Sequence, residues 1–352
     1  MAMIEAEGLS RSFHVLEASG RLRRRRRTVH AVRDITLMVN AGEAVGYIGA
    51  NGAGKSTTIK MLTGILVPTA GRVRVCGLDP VPERRALARR IGVVFGQRSQ
   101  LWWDLPLRDS FPILGAMHRL HTADWRPRFE ELVERMNLGS FLSTPVRQLS
   151  LGQRMRGEVV AALLHSPELV ILDEPTIGLD MVSKESLRQF LDVERREHGT
   201  TLLLTTHDMS DVQRLCQRVL VVDDGALVFD GALSALAAMD GARRTMVVDL
   251  VEPVHHASAL PLPTGAVHRG IEAQGIRHSI SFDSRQVTAA GLLAAISSVS
   301  EVADLSLQEP DIEQVVRRLY GTAQGHAQGE GPVHGQVSGQ NRRATADGGQ
   351  RG

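Results

Sequence analysis

Residues 45–57 read Val45-Gly46-Tyr47-Ile48-Gly49-Ala50-Asn51-Gly52-Ala53-Gly54-Lys55-Ser56-Thr57. An apolar run that suits a buried strand passes into a glycine-rich turn and then into a helix from about Lys55. Within it, Gly49–Ser56 matches G-x-x-x-x-G-K-[ST]. That spacing lets backbone N–H groups turn inward around phosphate oxygens, and the positive end of the following helix adds to the attraction. Lys55 is placed to reach the outer phosphates and Ser56 to ligate a divalent cation. The competing reading is a glycine-rich turn with a chance lysine. The strand and helix on either side speak against it.

Downstream, four apolar residues lead into Asp173-Glu174 in Leu169–Pro175. Carboxylates at the end of a buried strand suit a cation shell (Asp173) and the polarisation of an attacking water (Glu174). His207 ends another apolar run, TLLLTT, and is placed toward the outer-phosphate side of the same crevice. Alone, a strand-end histidine is more often structural. Gln97 follows the strand-like IGVVF and can touch the cation or its water; by itself it would be a solvated loop residue. Shortly before the acidic strand stands Leu149-Ser150-Leu151-Gly152-Gln153, a turn opening a helix. It reads as a second phosphate-contacting surface, one that a single subunit would struggle to bring to its own nucleotide. Asp180, in Ile177-Gly178-Leu179-Asp180, is expected to shape the contact with an opposing subunit, or else to cap a helix.

Working outward, strands alternate with helices from Val45 to about residue 223, which argues for an α/β fold with a mainly parallel sheet covered on both faces. Residues 1–47 alternate short apolar runs with polar gaps, predicting an N-terminal β-subdomain that the run Arg21–Arg27 interrupts. Residues 98–148, with Pro106, Pro112, Pro127 and Pro145, read as a helical insertion. Past Met239 the texture changes: MVVDLV, HSISFD, a helical stretch 288–297, VADLSL and DIEQVVRRL predict a small α/β domain over 241–320. Residues 321–352 have almost no large apolar side chains and are expected to form a disordered tail.

At 352 residues, 43% hydrophobic and 23% charged, the chain has the material for a core. A net charge of +2 gives no argument for nucleic acid as a partner. Cys76 and Cys216 form no metal-ligand pattern, in keeping with a reduced cytoplasmic setting. The start, MAMIEAEGLS, lacks signal-peptide order, and no window approaches the ~18–20 apolar residues of a membrane span. Any membrane association is expected to come through a partner or the protein surface.

These motifs in this order resemble the nucleotide-binding subunit of ABC transporters, over roughly residues 3–238. The resemblance implies a P-loop ABC ATPase domain (1–240) with a helical subdomain (98–148). It makes Gly49–Ser56 the Walker A loop, Gln97 the Q-loop, Leu149–Gln153 the signature, Asp173 and Glu174 the Walker B pair, Asp180 the D-loop and His207 the switch histidine. ATP contacts fall by the same implication to Gly49, Asn51, Gly52, Ala53, Gly54, Lys55, Ser56, Thr57, Ser150, Gly152, Gln153 and Asp180. Mg contacts fall to Ser56, Gln97 and Asp173, and catalysis to Glu174, His207 and Gln97. Phe13 is the match for the aromatic that stacks on adenine, with core packing as its competing role. Leu151 stands where the family's usual signature has glycine. With GQRSQLWWDLP (96–106) and LSLGQRMR (149–156), the chain looks most like bacterial drug or viologen exporter ATPases whose permeases are separate polypeptides.

The implied protein is an ATPase that pairs with a second copy, or with another ATPase subunit, around two ATP, and drives a membrane permease from the cytoplasmic face. A soluble ABC-type ATPase acting on ribosomes or nucleic acid is the alternative, disfavoured by a single cassette without a sustained heptad run. A non-hydrolysing module is disfavoured by the presence of both Glu174 and His207. The arginine run is either a solvated loop or an attachment to the anionic leaflet. Trp102 and Trp103 either pack in the core or mark the face where the family's permease docks.

Overall fold

The computed structural model describes residues 1–18, 24–96, 99–206, 208–239, 243–308 and 315–316. The chain opens with a long antiparallel hairpin, β1 (Ala2–Ala18) and β2 (Arg24–Asn40), followed by β3 (Ala44–Gly49) and α1 (Lys55–Leu62). Next come β4 (Ala70–Val75), α2 (Arg84–Leu87), β5 (Ile91–Phe95), α3 (Leu107–Met117), α4 (Thr122–Arg135) and α5 (Leu151–Leu163). The alternation resumes with β6 (Leu169–Asp173), α6 (Met181–His198), β7 (Thr201–Thr205), α7 (Met209–Leu215), β8 (Arg218–Asp223), β9 (Ala226–Ala232) and α8 (Leu233–Met239). The C-terminal part holds β10 (Arg243–Leu250), β11 (Ala266–Glu272), β12 (Arg277–Asp283), α9 (Ala289–Ser297) and β13 (Val302–Gln308).

Six strands form the central sheet in the order β5-β6-β7-β3-β8-β9. All neighbours are parallel except β9, which pairs antiparallel with β8 at the edge. The inner strands read as unbroken apolar runs because both of their faces are covered. Their two-residue period sorts the side chains between two cores. Val170, Leu172, Val219 and Val221 point into the core shared with α5, α6 and α7. Leu169, Ile171, Leu220 and Val222 point into the core shared with α1 and the N-terminal strands. β9 alternates half-buried and exposed positions, as an edge strand does, and its weak apolar signal left no strand prediction there.

β1 is the centre of a separate sheet, β2-β1-β4. Arg24–Arg27 are not an interruption: they begin β2 and pair with Ala18, Glu17, Leu16 and Val15. A two-stranded ribbon beyond the packed sheet leaves both faces wet, so Arg26 and Arg27 take up strand geometry while staying exposed. Arg21 and Arg23 lie outside the described residues.

α3 and α4 form the insertion and pack onto α5 through Leu107, Phe111, Leu132 and Met136. The insertion is also held to α6 by charge. Arg128 pairs with Glu194, both almost fully buried, and Arg135 reaches Glu197 at 2.6 Å. Trp102 packs against the core, as one of its two readings had it, whereas Trp103 is half exposed beside the Arg154 guanidinium.

The C-terminal strands form a third sheet, β11-β12-β10-β13, whose core of Met246, Val248, Ile280 and Phe282 is covered by Leu292 and Ile296 of α9. The expected strands MVVDLV, HSISFD and VADLSL are found in β10, β12 and β13, and β11 is additional. Of DIEQVVRRL only Val315 and Val316 are described, and both are buried in the core that contains Leu236. The expected tail 321–352 lies outside the described residues.

Candidate nucleotide-binding site

The glycine-rich turn is clamped from two sides. A Cβ on Gly49, at the end of β3, would sit 2.5 Å from the Val222 carbonyl oxygen of β8. Gly54, at φ 101, presses on the Ala31 carbonyl of β2, where a Cβ would overlap it. Ala53 O accepts from Gly225 N at 3.1 Å, in the turn between β8 and β9. Gly52 also has positive φ (85) but nothing near its missing Cβ. Hairpin, sheet and turn thus hold a loop whose exposed edge is Asn51 and Gly52.

Lys55, at the first turn of α1, is buried and donates to Gly49 O at 2.6 Å and Ala50 O at 3.1 Å. Its ammonium therefore closes the loop onto itself and lies under the loop's inner rim. Burial pushes its pKa down, and the fields of Glu174 and Asp173 oppose that shift. The lysine thus lies within the fields of both carboxylates. Ser56 is exposed and Thr57 half-buried on the same helix start. Behind them, Tyr47 O–H donates to Thr58 at 3.1 Å, and Thr58 donates to Gly54 O at 3.2 Å, bracing the helix against β3.

Asp173 ends β6 and Glu174 begins the loop after it. Thr205 of β7 donates to Asp173 Oδ1 at 2.5 Å, and Glu174 N donates to Thr205 O at 2.9 Å. Glu174 sits at φ 54, a left-handed conformation that costs a non-glycine residue about 1 kcal/mol and recurs at functional sites. Gly96 N donates to Asp173 O at 3.0 Å, which brings the end of β5 to the same place. Gln97 and His207 lie outside the described residues. Their chain neighbours Gly96, Thr206 and Asp208 flank Glu174 or line the cleft beside it. That cleft, about 500 Å³, runs from Glu174 between Gly178, Lys184, Thr206 and Asp208. Desolvation works against the Asp208 charge, but hydrogen bonds from Lys184 and Ser210 hold its carboxyl at about 2.

Ser150 caps α5 in a capping box: Gln153 N donates to Ser150 Oγ at 3.2 Å and Ser150 N donates to Gln153 Oε1 at 2.9 Å. The cap uses Ser150 as an acceptor, so its hydroxyl hydrogen is left to be donated outward from an exposed position. Gly152 faces Ser183 and Leu179 of its own chain. Asp180 caps α6, accepting from Ser183 N at 2.9 Å and from Ser183 O–H at 2.7 Å, which matches the plainer of its two readings. Phe13 is half-buried on β1 opposite Val29, with the Arg11 guanidinium 4.7 Å from its ring centre.

Several supporting residues escaped the sequence reading. Thr205 reads in the sequence only as part of the apolar strand TLLLT, although a hydroxyl two residues before His207 is a usable signal. Glu158 of α5 is buried, yet it accepts from Ser99 and from Gln100 N, tying α5 to the loop that follows β5. Nothing in its sequence surroundings pointed there.

Residues 32–177 match the ABC transporter family profile. The daunorubicin resistance ATP-binding protein DrrA3 of Streptomyces coeruleorubidus is 33% identical over 296 residues, covering 83% of this chain and 91% of that protein. The chain belongs to the ATP-binding subunits of ABC transporters. As a member of this ATPase family it is also 39% identical to the Nod factor export ATP-binding protein I of Paraburkholderia xenovorans. That match spans 214 residues, 59% of this chain and 68% of its relative. In structure, the ABC subunit is similar to the bacterial ABC transporter cassette MJ0796, solved as a dimer (TM-score 0.56, 25% identity, 65% of this chain and 98% of that one). The match to DrrA3 is too long to fit within residues 1–240, so it reaches into the C-terminal sheet.

Proposed function

We propose that two copies of this subunit close around two ATP molecules and that hydrolysis drives a separate membrane permease. The observation that carries this reading is the division of the phosphate-binding groups. Lys55, Asp173 and Glu174 share one neighbourhood, whereas the Ser150–Gln153 turn packs on its own Gly178–Ser183 segment and presents the exposed Ser150 hydroxyl outward. A second copy completes the site by supplying that turn. The dimeric relative supports the arrangement.

In this reading the Gly49–Thr57 segment wraps the phosphates, Lys55 turns from its loop carbonyls to the outer phosphates, and Phe13 offers adenine the ring face opposite Arg11. Ser56 and Asp173, with Gln97, are the residues that would hold Mg, and their oxygen donors fit a hard cation. Bound there, Mg would neutralise charge on the phosphate oxygens. Thr205 fixes the Asp173 carboxylate, Glu174 polarises the attacking water, and His207 attends the outer phosphate. Ser150, Gly152 and Gln153 of the opposing copy close the site, with Asp180 at the contact.

No helix of the described residues is long and apolar enough to cross a membrane, and in this reading the transporting path belongs to a separate permease. Attachment is at the cytoplasmic face, near exposed Trp103 on the insertion. The Nod factor export and daunorubicin resistance relatives favour outward transport. We read 1–240 as the ATPase domain, with its helical subdomain at 98–148, and 241–320 as an extension with its own core. Glu174→Gln tests the proposal. It should abolish turnover while leaving ATP binding and yielding an ATP-dependent dimer on size exclusion; unchanged turnover would remove Glu174 from the chemistry.

A further inference from the structure

Leu151 replaces the glycine usual at its position, and the structure shows what its side chain meets. Its Cδ2 lies 2.5 Å from where a Cβ on Gly178 would stand. Gly178 is at φ 69, and only glycine leaves that space open. One residue on, a Cβ on Gly152 would lie 3.2 Å from Ser183 Oγ and 3.8 Å from Leu179 Cδ2. Leu151 and Gly178 thus form a knob and hole between the start of α5 and the loop leading into α6. That loop is short and turned upon itself: Ile177 N donates to Glu174 O at 3.3 Å and Leu179 N to Thr176 O at 3.2 Å. Its far end is capped by Asp180 through Ser183. Leu151 therefore touches a segment that begins at Glu174 and ends at Asp180.

We infer that Leu151 is a positioning residue that couples the two ATP sites through a single subunit. The inference rests on the dimer reading given above, in which the Ser150–Gln153 turn serves the nucleotide bound by the opposing copy. Glu174 of the same subunit serves that subunit's own nucleotide. A shift of the turn as it seats on the opposing phosphate is passed by Leu151 to Gly178, and so to the loop carrying Glu174. A glycine at 151 has no side chain with which to transmit it. The contact packs the start of α5 directly on the loop that carries Glu174, a contiguous path of the kind through which coupling between distant sites can travel.

The test uses the purified full-length chain with Leu151→Ala and Leu151→Met. Nucleotide affinity of the isolated subunit, read with a fluorescent ATP analogue, should be unchanged in both, because the Gly49–Thr57 loop is untouched. In Leu151→Ala, kcat should fall by roughly fivefold or more, the size of a typical coupling between sites. The Hill coefficient for ATP should fall toward one. Leu151→Met, which refills the volume, should restore both. Each change is also placed on Glu174→Gln, whose ATP-dependent dimer is measured by size exclusion. If Glu174→Gln dimerises but Leu151→Ala keeps wild-type kcat and Hill coefficient, the coupling role is overturned and the dimer reading stands. If Glu174→Gln never dimerises with ATP, the dimer reading itself fails. A loss in Leu151→Ala that Leu151→Met does not rescue would also overturn the inference.

Discussion

Gly49→Ala and Gly52→Ala separate two reasons for glycine in one loop. At Gly49 the backbone is outside the left-handed region, and the whole penalty is steric. The new methyl would stand 2.5 Å from Val222 O and 3.2 Å from Ala53 Cβ. An ordinary C···O separation is about 3.3 Å or more, so the end of β3 must retreat from β8 by about 0.8 Å. The obstacle is backbone held in a parallel pair, Gly49 beside Val222, and cannot rotate away. Overpacking of this kind costs about 1–3 kcal/mol, here expected near the upper end. At Gly52 nothing lies near the new methyl, and the penalty is the positive φ of 85 alone, about 1 kcal/mol. Urea unfolding of the nucleotide-free proteins should therefore show Gly49→Ala the less stable by about 1–2 kcal/mol. Displacing the loop by most of an ångström should also weaken ATP binding tenfold or more, read by fluorescence titration. Equal stability of the two variants would refute the view that close approach to β8 sets the loop's position.

Other consequences follow from groups away from the loop. His165 is stacked on His118 with ring centres 3.9 Å apart, and burial followed by the His118 charge pushes its pKa down to about 4. Its neutral form is the folded one, so its contribution to stability is complete above the unfolded value of about 6.5 and is lost as pH falls from there toward 4. Stability of wild type should fall between pH 7 and 4.5, and His165→Gln should flatten that slope by ~2 kcal/mol, measured by denaturation at each pH. Arg128 and Glu194 form a nearly buried pair between α4 and α6. Arg128→Ala should cost about 3 kcal/mol because it strands Glu194, and adding Glu194→Leu should recover much of the loss. No recovery in the double variant would mean that packing, not stranded charge, sets the cost.

The motifs that carry chemistry were legible because each is a strand end or helix start with fixed local spacing. Gly49–Ser56, Asp173-Glu174 and Ser150–Gln153 all lie where their patterns put them. The buried parallel strands were legible for the same reason, since LVILD and TLLLT can only be covered on both faces. β9 and β11 were not, because edge strands with half-wet faces lack a strong apolar pattern. The arginine run was misplaced as an interruption because charge argues for solvent but does not forbid a ribbon strand. Long-range supports such as Thr205 on Asp173, Ala31 on Gly54 and Glu158 on Gln100 depend on residues 23 to 58 positions apart, which local pattern does not encode.

The central claim is that each ATP site is built from two copies, Lys55 and Glu174 from one and Ser150 from the other. Mixing Lys55→Ala with Ser150→Ala, each inactive alone, tests it most directly. A mixed dimer would contain one site with both residues intact, so ATP hydrolysis should reappear, at no more than ~25% of wild type for random pairing of equal amounts and below that to the extent that the two sites are coupled. A mixture that stays as inactive as its components would contradict the shared site.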